Sequence, residues 1–144
     1  MTKVILGADH AGYQMKEELK KLLDKLDVRH DDLSPQYVDG DDYPDMAQKV
    51  ALRVQRDKGR GILVCGTGVG ASIAANKIKG IRAAACSEEK TARLSRNDND
   101  SNILCLGARI VDQKKAEVIV KSWLSSEFLS GRHQRRVDKI KALE

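Results

Sequence analysis

The stretch VCGTGVGAS, residues 64–72, sets Cys65 directly ahead of Gly66, Gly68 and Gly70, with Thr67 between the first two glycines. A glycine-rich turn leaves several backbone N–H groups free to point at one anion, and amides at a helix N-terminus favour a thiolate over a thiol. A thiolate placed there can take a proton from carbon while the amides hold the oxyanion that develops. Thr67 offers a hydroxyl for moving protons between neighbouring oxygens. Gly66, Gly68 and Ala71 also fit the GxGxxA dinucleotide pattern, and Glu88 stands where a ribose-binding acid would be expected. Carbon-acid proton transfer and nucleotide binding therefore compete for this loop. Cys65 and Thr67 have an obvious use only in the first.

Other groups could serve either chemistry. ADHAG brings Asp9 and His10 to the end of an apolar run, and DYP supplies Tyr43, whose ring could cover a bound sugar. In GRHQRR, Arg132 and Arg136 lie four apart, share one helix face and can grip a phosphate together. Arg109 follows the last apolar run as a third anion ligand. Cys86 and Cys105 sit in or at the end of apolar runs and read as buried strand cysteines. With Cys65 they form neither a metal-ligand spacing nor a disulfide framework.

These groups must be positioned by elements, and the pattern for those is regular. Strands are expected over 3–8, 28–33 (weakly), 60–66, 81–87 and 102–108. Helices are expected over 13–26, 44–57, 70–78, 88–97, 113–129 and 133–143, the first with Leu19, Leu22, Leu23 and Leu26 on its apolar side. Pro44 opens the second helix. Alternating strands and helices with continuous apolar strands imply a five-stranded parallel sheet covered by helices on both faces, an α/β three-layer sandwich in one domain, 1–144. Ligands of such sheets bind outside the carboxyl ends of the strands. That selects GADHAG, DLSPQYVDGDDYP, CGTGVGAS, CSEEK and LGARI as site loops.

Composition narrows the function classes. The 144 residues are 41% hydrophobic and 33% charged, as in a soluble globular chain. No run approaches the roughly 18 apolar residues of a membrane span, and the start shows no secretory signal, so a cytoplasmic protein without a membrane partner is expected. The net charge is +5, but aromatics make up only 3% of the chain, too few for a base-stacking platform. The bases are spread among acids except near the C-terminus. A local anion site is expected, not a nucleic-acid surface.

Taken in order, GADHAG, DYPDMA, GILVCGTGVGASIAANKIKGIRAA, NDSNILCLGARI and GRHQRRV resemble the ribose-5-phosphate isomerase B family, which includes galactose-6-phosphate isomerase subunits. The similarity runs over essentially the whole chain. It implies a Rossmann-like fold and a homodimer or tetramer with active sites shared between subunits. It also implies an aldose–ketose isomerisation of a small phosphorylated sugar through a cis-enediolate, without cofactor or metal. By position, Cys65 is then the base between C1 and C2, Thr67 assists, and the backbone from Gly66 through Gly68 and Val69 to Gly70 stabilises the enediolate, with Ser72 also counted at the site. Asp9 and Asn99 bind sugar hydroxyls beside Tyr43. His10, Arg132, Arg136 and the partner's Arg109 hold the phosphate. One position departs from the pattern. The family typically reads HND where this chain has Asp98, Asn99 and Asp100, and that histidine opens the furanose ring. An ordinary carboxyl, with a pKa near ~4, is a poor proton donor at neutral pH. A four-carbon aldose 4-phosphate cannot close a five-membered ring and needs no such donor. The same chemistry on a tetrose phosphate such as erythrose 4-phosphate therefore stands beside the usual pentose. A dinucleotide-binding module and a non-catalytic sugar-phosphate-binding subunit are the readings from other classes.

Overall fold

Strands buried on both faces need apolar residues on both, and VILGA and ILCLG are buried at every position. The computed structural model describes residues 2–144. It contains β1 (Val4–Ala8), α1 (Tyr13–Lys25), β2 (His30–Asp32), α2 (Tyr43–Asp57), β3 (Arg60–Cys65), α3 (Val69–Ala75), β4 (Ala83–Ala85), α4 (Glu89–Asn99), β5 (Ile103–Gly107), α5 (Gln113–Ser125) and α6 (Arg132–Lys141). The strands form one parallel sheet in the order β2-β1-β3-β5-β4. Alternation along the strands divides the core in two. Val4, Leu6, Ile62, Val64, Leu104 and Leu106 pack with α1, α4 and α5, whereas Ile5, Leu63, Cys65, Ile103 and Cys105 pack with α2 and α3. This is the three-layer α/β sandwich expected from the sequence.

Glycine decides how closely α2 approaches. A Cβ on Gly7 would stand 2.6 Å from Val50 Cγ2 and 2.8 Å from Met46 Cγ. The bare strand surface lets α2 settle onto β1, and its first residue is Tyr43. On the other face, α1 carries Lys16 with no exposed surface. Its Nζ donates to Asp32 Oδ2 at 2.6 Å, Ser34 O at 2.7 Å and Glu17 Oε1 at 2.9 Å. A buried ammonium survives only when paired in this way. Ser34 Oγ accepts the Ala8 N–H at 2.9 Å. Together these bonds anchor the start of the loop that runs from β2 to Tyr43.

The differences from expectation have local causes. Leu26 is 39% exposed, because α1 ends before it and it becomes the cap residue. Helix α5 stops at Ser125 rather than 129. The hydroxyls of Ser125 and Ser126 bond back to Lys121 O and Ser122 O. The chain then crosses to α4, where Asn97 Nδ2 donates to Glu127 O and Leu129 N donates to Asn97 O. Helix α3 stops at Ala75 rather than 78. Next comes Asn76, whose amide turns to β4, donating to Ala83 O at 2.9 Å and accepting from Ala83 N at 2.8 Å. Both outward-facing backbone groups of Ala83 on that edge strand are thereby occupied.

Candidate active site

The chain leaves β1 towards β2 on one side, while β3 lies on the other, so a crevice opens at their carboxyl ends. Cys65 ends β3 with only 3% of its surface exposed. Its Sγ accepts the Gly68 N–H at 3.2 Å. Gly68 takes φ +81°, and a Cβ there would meet the backbone of Leu106 and Gly107 at 3.0 and 3.2 Å. A Cβ on Gly107 would in turn lie 2.5 Å from the carbonyl of Thr67. Two glycines thus let the loop press on the end of β5, which fixes Thr67. Val69 N donates to Thr67 Oγ1 at 3.2 Å as α3 begins. The N–H groups of Gly66, Thr67 and Gly70 have no acceptor among the described residues. A sulfur and three free amides at one turn can hold an anion next to a proton acceptor.

Four further residues surround the loop. Asp9, 6% exposed, donates its N–H to Val64 O, and its Oδ1 accepts the Gly12 N–H at 3.0 Å. The Arg109 guanidinium lies over Gly66, with Nη1 2.8 Å from where a Cβ would be. Arg109 N also donates to Gly66 O at 2.9 Å, so this arginine belongs to its own chain's loop. The Tyr43 ring covers Gly70, with Oη 2.7 Å from a Cβ position there. Ser72 faces away from the crevice, its hydroxyl 3.5 Å from Ala83 O on β4. His10 is held by a residue that sequence reasoning did not select. Its N–H donates to Asp41 Oδ1 at 2.6 Å, and its Nδ1 lies 3.1 Å from both Asp41 Oδ1 and Asp41 O. The Asp41 carboxylate bonded to the ring raises the His10 pKa above the ordinary histidine value, against the opposing effect of desolvation, and the charge of Asp9 adds to the rise.

The remaining expected residues form a second cluster at the opposite edge of the sheet. Helix α4 descends from the carboxyl end of β4 and finishes, with Asp98 and Asn99, just before β5 begins at its amino end. The register pairs Ile103 with Gly61 and Gly107 with Cys65, so four strand residues, ~13 Å of rise, separate that level from Cys65. Helix α6 lies along this amino edge, with Val137 buried and both Arg132 and Arg136 exposed. Asp98 does not stand alone, because His133 Nε2 lies 3.4 Å from its Oδ1. Sequence reading passed over His133 between the two arginines. The signal available was its place on the first turn of a helix whose sole buried residue is Val137.

The other thiols differ from Cys65 in not being followed by a run of spaced glycines. Burial pushes the Cys105 thiol well up and raises that of Cys86, away from thiolate. The dinucleotide reading does not fit the topology. Its acid should stand on the strand next to the glycine loop, but β5 lies between β3 and β4, and Glu88 is bonded to Lys115 at 2.8 Å.

An α/β sandwich with a thiol and an anion-holding glycine turn at its switch point defines a class of small-molecule enzyme, and comparison with known proteins places the chain within it. The chain belongs to the ribose/galactose isomerase family, whose model matches residues 4–140. It is 46% identical to ribose-5-phosphate isomerase B of Escherichia coli over 145 residues, covering 100% of this chain and 97% of that protein. Among solved structures it is similar to ribose-5-phosphate isomerase B of Clostridium thermocellum, with 46% identity and a TM-score of 0.95 over 98% of this chain and 96% of the other. It is also similar to the Mycoplasma genitalium enzyme solved with bound ribulose 5-phosphate, with 41% identity, a TM-score of 0.95, and 98% and 95% of the two chains covered.

Proposed function

We propose that this isomerase interconverts an aldose phosphate and its ketose phosphate without a cofactor, through a cis-enediolate, with Cys65 as the base. The observation that carries this reading is the Cys65 sulfur at a turn whose Gly66, Thr67 and Gly70 amides are free. The thiolate removes the proton on C2 of the open aldose and returns it to C1. The amides stabilise the negative oxygen in between, a contribution of several kcal/mol in comparable oxyanion sites. The Thr67 hydroxyl carries the proton exchanged between O1 and O2, and Asp9 holds a sugar hydroxyl. Tyr43 covers the loop, and Arg109 with His10 supplies positive charge for the phosphate.

Asp98 and Asn99, with Arg132 and Arg136 on the neighbouring α6, stand at the amino edge, ~13 Å of strand rise from the level of Cys65. In this reading they serve the crevice of a second copy in a homodimer, and the complete site spans two chains. Ribose 5-phosphate and ribulose 5-phosphate are the substrates that the related enzymes' names and the bound ribulose 5-phosphate support. Asp98 in place of a ring-opening histidine favours a second reading, a tetrose 4-phosphate that arrives open. The test is kcat/KM on ribose 5-phosphate and erythrose 4-phosphate for the wild type and Asp98→His. Ribose 5-phosphate preference unchanged by the substitution supports the pentose. Tetrose preference with pentose activity gained on restoring histidine supports the tetrose. Turnover of neither, with both sugars bound, leaves a non-catalytic binding subunit.

A further inference from the structure

A histidine that is to bind a phosphate must present a donor to it, and its ring has two nitrogens to assign. In this structure the assignment is made by the loop between β2 and α2. Gly40 takes φ +66°, a left-handed conformation that turns the chain, and Asp41 N closes onto Val38 O. The turn carries the Asp41 carboxylate to His10, where Oδ1 accepts both the backbone N–H and the ring Nδ1–H, and the Asp41 carbonyl receives the same ring proton. With Nδ1–H committed on one side, Nε2 is left for the crevice. The loop is itself fixed from below by the buried Lys16, through Asp32 and Ser34 O.

We propose that Asp41 is the positioning residue of an anion-binding His10: it fixes the ring plane, keeps a proton on Nδ1, and presents Nε2–H to the substrate phosphate. The role of His10 as a phosphate ligand rests on the proposed function, whereas the Asp41–His10 contact does not. Asp41 from the loop and Asp9 from the end of β1 are the charged groups whose fields reach the ring, and both favour the imidazolium. The pair therefore extends the pH range over which His10 carries charge. Titration of the phosphate and of other crevice groups is common to wild type and variant, so the imidazole is read from the difference between the two proteins at each pH.

The test is the isosteric variant Asp41→Asn in the full-length protein. The chain has three histidines, and the His10 ring signals are identified by their loss in His10→Gln. NMR should show the His10 titration midpoint lower in Asp41→Asn than in wild type, with the Nδ1–H tautomer of the neutral ring losing population. Affinity for inorganic phosphate should be roughly tenfold weaker at pH 8, as expected for one lost charge-assisted hydrogen bond, and near wild type at pH 6. In steady-state kinetics the change should fall on KM at the higher pH, with kcat much less affected. An unchanged His10 midpoint overturns the proposal. So does a loss of phosphate affinity equal at both pH values, because that is what a merely disordered loop would give. Absence of turnover on every sugar phosphate, with the midpoint shift present, refutes the proposed function and leaves the Asp41–His10 contact standing.

Discussion

Gly66→Ala separates the loop's shape from the charge that lies over it. Gly66 has no positive φ, so alanine can adopt its backbone conformation. The new Cβ would stand 2.8 Å from Arg109 Nη1 and 3.3 Å from Cζ, inside the ~3.5–4.0 Å of an ordinary contact. Arg109 is exposed, so its guanidinium yields and the backbone stays. Stability should then change by no more than about 0.5 kcal/mol, as for a surface substitution. If Arg109 holds the phosphate as proposed, displacing its guanidinium removes a charge-assisted hydrogen bond worth about 1.5–3 kcal/mol, or roughly 10- to 150-fold in KM. The assay is steady-state isomerisation of ribose 5-phosphate beside a thermal melt, for Gly66→Ala, Arg109→Ala and the double variant. If the methyl acts through Arg109, the double variant is no worse than Arg109→Ala alone. Additive losses, or a melting temperature several degrees lower with KM unchanged, would refute the reasoning.

Cys65→Ser should fold and bind sugar phosphate as wild type does, with kcat lower by ~10²–10⁴-fold, because a serine hydroxyl is a far weaker acid than a thiol; turnover within a few-fold of wild type removes Cys65 from the chemistry. Mixing Cys65→Ser with Arg136→Ala, each inactive alone, should restore about a quarter of wild-type turnover, since half of randomly paired dimers carry one intact crevice; no recovery after exchange would show that both residues serve a crevice within one chain. Lys16→Met should cost about 3 kcal/mol in denaturant unfolding, because Asp32 and Ser34 O lose a buried donor although Asp32 keeps Lys20 at 2.8 Å. Burial alone would raise the Asp32 pKa, but its bonds to Lys16, Lys20 and the Ser34 N–H outweigh that and hold it below the usual carboxylate value. A depressed carboxylate stabilises the fold above its unfolded value of about 3.9 and stops doing so as pH falls through the folded one, so the gap between wild type and Lys16→Met should close in acid.

Four of the five strands were legible as short apolar runs between helical repeats, whereas β2 is the polar stretch His30–Asp32 and gave only a weak signal. The Cys65 loop was legible because a thiol followed by spaced glycines has few bland uses. What sequence alone could not supply was pairing across long separations. Asp41 sits among Asp39 and Asp42 in a stretch that reads as a polar turn, and only the Gly40 bend gives it to His10, 31 positions earlier. His133 and Asp98 meet because α6 folds back on α4, a docking that rests on the single buried side chain of Val137. Nor does any local pattern show that, within one chain, the Arg109 guanidinium lies over Gly66. Residue type says what a group can do. Which edge of the sheet it occupies follows from strand order, which no local pattern carries.

The Asn76 amide on Ala83 has a consequence for how copies of this chain can associate. An edge strand with open N–H and C=O groups invites another strand, and a parallel sheet extended in that way can grow without limit. Here a side chain that imitates a neighbouring backbone covers Ala83, which leaves Ala85 as the one other outward-facing residue of a three-residue rim. The other rim, β2, is three residues long and flanked by Lys3 and Arg53 on Asp31, at 2.7 and 2.6 Å. Neither rim welcomes a further strand. Any association of copies would therefore use helix and loop surfaces, and the sheet would end within each chain.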